Sequence, residues 1–337
     1  MGSPQVSVLL PARNAERTIQ RAVESIRAQT FQCWELIAVD DGSTDRTPKA
    51  LAELARGEPR MRIIRGRGVG LVEALHRGLS ACEGKWVARM DADDESLPRR
   101  LEYSVRALHG DPELAAVGTQ VEIFRDDRPV SPNMELYVRW LNSLTTADRL
   151  GRERFVESPL CHPSTTLRRS ALDAVGGYDD GELPEDYQLW LKLLHAGWKL
   201  ACVPRVLFRW RDHDDRLTRT DPRYAEERFI ATKARYLARG PLAADRRCTI
   251  WGAGRTGRAL ARRLRHEDIE VCRFLDVDPA KIGAKIDGAP VLPWSSLGAP
   301  DGTHLLVAVG AKGAREQIRS ALTAHGWIEE RHFTCCA

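Results

Sequence analysis

Between residues 5 and 125 short β-branched runs alternate with helical patterns, and no other feature limits the fold as tightly. The runs are Val6-Ser7-Val8-Leu9-Leu10, Trp34 to Val39, Arg62-Ile63-Ile64 and Trp86-Val87-Ala88; the helical stretches fall near 15–29, 46–56 and 70–82. This alternation dictates βαβ units around a mostly parallel sheet with helices on both faces, an α/β fold. In such sheets ligands lie beyond the carboxyl ends of the strands. Acidic residues gather at two of those ends, in Val39-Asp40-Asp41-Gly42-Ser43-Thr44-Asp45 and in Arg89-Met90-Asp91-Ala92-Asp93-Asp94.

The chain of 337 residues is long enough for two domains. Residues 126–215 are irregular and rich in Pro and aromatics, with one amphipathic helix from Asp186 to Leu194. An Arg-rich helix over 222–239 ends at Gly240-Pro241, and a fresh strand, glycine turn and helix begin after 246. The expected domains are therefore 1–240, including the connecting helix, and 241–337. Up to residue 240 there are 37 basic against 36 acidic residues, and 14 against 11 follow. Neither part carries the basic excess of a nucleic-acid binder. No run approaches the 18 apolar residues of a membrane span, and Met1-Gly2-Ser3-Pro4 leads into the first strand without a signal pattern, so the expected location is cytoplasmic. Glu226 and Glu227 interrupt the basic 222–239 helix, which reads as a packed connector, with peripheral membrane contact as the other reading. The eight cysteines form no C-x-x-C pair and read as reduced thiols.

Up to five carboxylates from the two strand ends can converge on one cleft, and like charges at that density require a cation or hydrogen-bond donors. Aspartates separated by one residue suit Mg²⁺ or Mn²⁺, which take oxygen ligands and leave positions open for phosphate. Taken singly, each cluster also reads as a turn with a helix cap.

Five segments in order carry a family resemblance: Val8-Leu9-Leu10-Pro11-Ala12-Arg13-Asn14-Ala15, the two acidic clusters, Gly176-Gly177-Tyr178-Asp179 and Pro184-Glu185-Asp186-Tyr187-Gln188-Leu189-Trp190. They resemble the motif series of family 2 glycosyltransferases with the GT-A fold, over about residues 5–215. The resemblance implies an inverting, metal-dependent hexosyltransferase moving a sugar from a nucleotide diphosphate, a UDP-sugar by preference. The acceptor hydroxyl would belong to a carbohydrate, a lipid-linked carrier, a small molecule or a protein.

On this resemblance Asp41 accepts the uracil N–H beside Pro11 and Arg13, with Asp40 adjacent. Asp91 and Asp93 occupy the D-x-D positions at the ribose and the metal. His213, in Arg211-Asp212-His213, matches a late element that completes the metal or diphosphate site, with Arg211 at a phosphate; a solvated surface histidine is the plainer reading. Glu185-Asp186 resembles the catalytic pair, with Asp186 as the base that removes the acceptor proton from about 3 Å; a helix cap is the alternative. His162 is a candidate ligand-lining residue. Arg65 and Arg67, where relatives usually carry Asn or Gly, are candidates for the diphosphate or base.

Gly252-x-Gly254-x-x-Gly257 follows a strand and opens a helix, and Asp276 lies 24 residues beyond Gly252, where a ribose-binding acid would sit. The segment resembles Rossmann-like nucleotide-binding modules of bacterial polysaccharide-biosynthesis proteins. The glycines read either as a second nucleotide site or as close strand–helix packing. Two further functional readings rest on this motif: an NAD(P)-linked oxidoreductase and a non-catalytic sugar-nucleotide sensor. The span is too short for a complete dehydrogenase, which favours a docking or regulatory module.

Overall fold

A computed structural model describes residues 3–337; Met1 and Gly2, where the N-terminal reading begins, lie outside the described residues. The chain divides into two compact units. The first holds residues up to Gly151, Pro159–Gly181 and Gln188–Arg219, and the second Arg152–Ser158, Glu182–Tyr187 and Thr220–Ala337.

In chain order the elements begin β1 Val6–Ala12, α1 Ile19–Arg27, β2 Trp34–Asp40, α2 Thr47–Arg56, β3 Met61–Arg65, α3 Leu71–Ala81, β4 Trp86–Arg89 and β5 Glu95–Ser96. They continue α4 Arg100–Gly110, β6 Leu114–Phe124, α5 Pro132–Ser143, α6 Ala147–Glu153, β7 Thr166–Arg168, α7 Arg169–Val175, α8 Glu185–His195, β8 Lys199–Arg211 and α9 Leu217–Thr220. The sheet order is β3-β2-β1-β4-β7-β6-β8-β5. β1 to β4 are mutually parallel, while β7 runs antiparallel to both β4 and β6.

Every residue of β1 is buried, as expected of a strand covered on both faces. One face receives Ile19, Ala22, Val23 and Ile26, the apolar stripe of α1. The other receives α3 through Val72, Ala74 and Leu75. Gly78 permits the close approach, since a β-carbon there would lie 2.1 Å from Leu9 Cδ1 and 2.8 Å from Val39 Cγ2.

The second unit contains α10 Glu226–Arg239, β9 Arg247–Trp251, α11 Arg255–His266, β10 Glu270–Asp276, β11 Lys285–Ile286, β12 Ala289–Pro293, β13 His304–Val307, α12 Ala314–Ala324 and β14 Phe333–Cys335. Its sheet runs β11-β12-β10-β9-β13-β14, parallel except for β11.

This division differs from a cut near residue 240. Helix α10 packs along α11, and its buried Lys233 donates from Nζ to the carbonyls of Val156 at 2.7 Å and Cys336 at 3.2 Å. An amphipathic pattern identifies a helix's buried face but not its partner. Glu185 and Asp186 also group with the second unit.

Candidate donor site and catalytic pair

The register of the first sheet builds one rim. Ala12 pairs with Asp40 and Asp40 with Arg65, while Leu9 pairs with Arg89, so the carboxyl ends of four parallel strands form one edge. Pro11 is buried in β1 beside Val39. Asp41, buried, accepts the Gly68 N–H on Oδ1 and the Gly70 N–H on Oδ2, both at 2.9 Å. The glycines make this interlock possible. Gly42 has φ +69° and a β-carbon there would come within 2.9 Å of Gly68 Cα; one on Gly66 would lie 2.8 Å from Asp41 Cα.

Asp40 accepts the Ser43 N–H at 3.2 Å and so shapes its own turn. Arg13 is exposed, 3.8 Å from Asp41 Oδ2, and donates to the Gly68 carbonyl at 3.4 Å. The guanidinium groups of Arg65 and Arg67 are exposed on this loop and have no hydrogen-bond or ion-pair partner among the described residues.

Asp91, Asp93 and Asp94 offer carboxylate oxygens that all lie within 4.8 Å of one another. Two buried cations answer this charge. Arg89, at the end of β4, donates to Asp91 Oδ1 at 2.7 Å, and Arg100 donates to the Thr165 and Arg89 carbonyls behind it. Burial lowers the Arg100 pKa to about 9. Asp94 is the innermost acid: burial, then the charges of Asp93 and Asp91, push its pKa well above the ordinary value. Its Oδ1 accepts the Arg211 N–H at 2.7 Å, whereas its buried Oδ2 has no hydrogen-bond partner among the described residues.

His213 Nε2 lies 3.0 Å from Asp93 Oδ2. Its loop is anchored rather than freely solvated. The neighbouring Asp212 is buried and paired with Arg125 at 3.0 Å and Arg219 at 2.7 Å, and Arg219 also holds the His213 carbonyl. A cluster of carboxylates with one imidazole and one orphaned buried oxygen fits a hard divalent cation. Arg211, expected at a phosphate, is instead a brace: Nε donates to the Asp93 carbonyl at 2.8 Å and Nη1 pairs with Asp126.

His162 lies in the core. Nε2 is 2.7 Å from the Tyr178 hydroxyl, and its ring stands edge-on to Trp190. Burial, reinforced by the Arg89 charge, pushes its pKa well below the ordinary value, keeping the ring neutral. The Gly176-Gly177 step, both at positive φ, turns the chain after α7 to deliver Tyr178. Asp179 then binds Gln188 and Lys192 of α8.

The acidic pair opens α8. Glu185 is buried, and the single O–H of Tyr224 is shared between its two carboxylate oxygens, with Oη 2.7 and 2.9 Å away and Arg223 at 3.8 Å. Asp186 Oδ1 accepts the Tyr187 N–H at 2.6 Å. Asp186 stays part-exposed, and the enclosing protein, followed by the like charges of Glu185 and Glu157, raises its pKa to about 8. Tyr187 fixes this turn by donating to the Arg154 carbonyl at 2.7 Å and packing against Phe229.

The model of the glycosyl transferase family 2 matches residues 7–176, from the first strand through both acidic clusters. The chain belongs to glycosyltransferase family 2. It is 31% identical over 232 residues to the putative glycosyltransferase EpsE of Bacillus subtilis, covering 67% of this chain and 80% of that protein. It is 30% identical to the amylovoran biosynthesis glycosyltransferase AmsE of Erwinia amylovora, covering 62% and 77%. Among solved structures, S. aureus TarS residues 1–349 in complex with UDP-GlcNAc superpose with a TM-score of 0.52 at 17% identity, covering 79% of this chain and 73% of that one. That likeness extends the family assignment to the shared GT-A fold.

Within this family 2 glycosyltransferase, the first unit brings Pro11, Arg13, Asp40, Asp41, Arg65, Arg67, Asp91, Asp93 and His213 to strand ends and their loops. Glu185 and Asp186 form a pair within the second unit. Sequence reasoning missed Arg89, Arg100, Asp94 and Tyr224. Only Asp94 had a signal, its place directly after the D-x-D residues.

Proposed function

We propose that this protein is an inverting, metal-dependent transferase that moves a hexosyl group from a UDP-sugar to a carbohydrate hydroxyl. The observation that carries the reading is the grouping of Asp91, Asp93, Asp94 and His213, with one buried carboxylate oxygen of Asp94 left without a partner among the described residues. A divalent cation held by these side chains would stabilise negative charge on the departing diphosphate. The glycine loop supplies the rest of the donor site. Asp41 keeps lone pairs beyond those used by Gly68 and Gly70, enough to accept the base N–H. Arg65 and Arg67 would meet diphosphate oxygens as unpaired guanidinium groups.

Asp186 is the proposed base. As the acceptor oxygen bonds to C1 and the bond from C1 to the diphosphate breaks, its carboxylate takes the hydroxyl proton. A single displacement from the opposite face inverts C1. Tyr224 and Arg223 hold Glu185 in place and limit the charge facing Asp186. Family membership favours this chemistry over the oxidoreductase and sensor readings. A carbohydrate acceptor is supported by the relative named for amylovoran biosynthesis. No helix among the described residues is long and apolar enough to cross a membrane.

The test is nucleotide release from a panel of UDP-, GDP- and dTDP-sugars, with Mn²⁺ or with EDTA. Release from a UDP-sugar that EDTA and Asp93→Asn both abolish supports the proposal; release indifferent to EDTA rejects the metal.

A further inference from the structure

The glycosyl-transfer chemistry leaves one constructed feature unused, the glycine turn of the second unit. A cavity of about 540 Å³ opens there, within the range of sites for small ligands. It lies at the carboxyl ends of β9, β10 and β13, where Trp251, Asp276 and Ala308 meet it. From β9 the chain proceeds to β10 on one side and later to β13 on the other, so the cavity sits where the strand order reverses. Open parallel sheets take ligands at that point.

The three glycines of the turn divide by physical need. Gly252 has φ +119°, and a β-carbon there would lie 2.7 Å from the Ala308 carbonyl; one on Gly257 would fall 1.8 Å from the Gly252 carbonyl. Close packing explains both. Gly254 has ordinary φ −83°, and nothing lies within 4 Å of where its β-carbon would be. Neither backbone strain nor packing requires glycine at 254, yet this residue borders the cavity and caps α11 without a side-chain hydrogen bond. The bare position leaves room for a ligand to approach the first-turn amides of a twelve-residue helix.

The surrounding chemistry is that of a nucleotide. Lys281 Nζ, 3.4 Å from Asp276 and 3.3 Å from Asp278, puts a cation on one wall, and Arg255 puts another at the helix start. Val277, strongly exposed, and Ile318 give the cavity apolar surface. Asp276 does not serve as the expected ribose acid: Oδ2 accepts the Ala253 N–H at 2.8 Å and Oδ1 the Asp278 N–H at 2.9 Å, so it ties the glycine turn to the next strand. The more exposed Asp278 carboxylate is the group available to ribose hydroxyls.

The geometry points to a second binding site, independent of the sugar donor, for a nucleotide that carries a diphosphate, with the phosphates at Gly254 and the start of α11 and the ribose beside Asp278. The free nucleoside diphosphate and a dinucleotide such as NAD⁺ share this chemistry.

Calorimetric titration of the full chain in EDTA, which suppresses metal-dependent donor binding, tests the site with ADP, UDP and NAD⁺. Gly254→Asp places a carboxylate in open space against the phosphates and should weaken binding about tenfold or more. Lys281→Ala gives an independent reading should the first variant misfold. Both variants should retain metal-dependent nucleotide-sugar turnover. Binding of ADP and NAD⁺ alike identifies the adenosine diphosphate moiety as the recognised part, NAD⁺ alone identifies the dinucleotide, and UDP alone moves the preference to uridine. Absence of heat with all three, or binding that survives both variants, overturns the site. Loss of donor turnover in the wild type with this binding intact would count against the transferase reading alone.

Discussion

Replacing Asp186 with Asn tests the catalytic pair through two readouts that move in opposite directions. The amide keeps an oxygen to accept the Tyr187 N–H but cannot take a proton. Transfer should fall by roughly 10² to 10⁴. Stability should rise. A carboxyl lifted from its ordinary 3.8 to about 8 is protonated in the folded chain and ionised in the unfolded chain between those values. Unfolding then releases a proton, so stability declines as pH rises across that window, and the penalty is complete above about pH 8.

A sealed site would make the penalty about 6 kcal/mol. Asp186 is part-exposed, and solvent screening reduces a realistic value to about 2 kcal/mol. In calorimetry the Asn variant should therefore melt about 5 °C above wild type at pH 8.5 and match it near pH 4. Wild-type kcat/KM should climb with pH as Asp186 ionises, through an inflection above its ordinary 3.8, and level off by about pH 8, as expected of a base that must be ionised. A flat rate profile from pH 4 to 9, or an Asn variant no more stable than wild type at pH 8.5, would refute the assignment.

Gly66→Ala drives a β-carbon into the Asp41 backbone and should abolish the Mn²⁺-dependent part of UDP binding in titration without unfolding the second sheet, as read by the retained metal-independent nucleotide binding proposed there. Arg89→Met strips the buried counter-ion from Asp91 and should destabilise the metal-free protein by about 3 kcal/mol in urea unfolding, with added Mn²⁺ recovering part of the loss. Tyr224→Phe removes the hydroxyl that donates to Glu185 and should lower stability by about 1–2 kcal/mol; the rate profile should shift to higher pH as charge facing Asp186 becomes less well compensated.

Strands β1, β2 and β4 were legible because burial on both faces leaves mostly apolar runs, and the acidic clusters because two of them stand at the ends of strands in one alternating series. Strand β8 was not legible. It runs thirteen residues through Pro204, Arg205, Arg209 and Arg211, inside a stretch whose sequence reads as irregular, and its register against β6 shifts around Gln120. Long-range pairing, not local preference, holds it.

At the site, residue type gave the acids but not their environment. Arginine ordinarily reads as a surface residue, so nothing marked Arg89 and Arg100 as buried counter-ions. Tyr224 reaches Glu185 across 39 positions of sequence, a contact only folding creates. His162 and Asp276 err the other way: chemically versatile side chains whose hydrogen bonds are structural, one to Tyr178 and the other to the glycine turn.

The central claim, that acids at the strand ends of the first unit bind a nucleotide diphosphate through a divalent cation, meets its most direct test in UDP titration with and without Mn²⁺. Wild type should bind UDP at least about tenfold more tightly with Mn²⁺, and Asp93→Asn should erase that difference. Equal affinity in Mn²⁺ and EDTA, or a metal effect that survives the substitution, would contradict it.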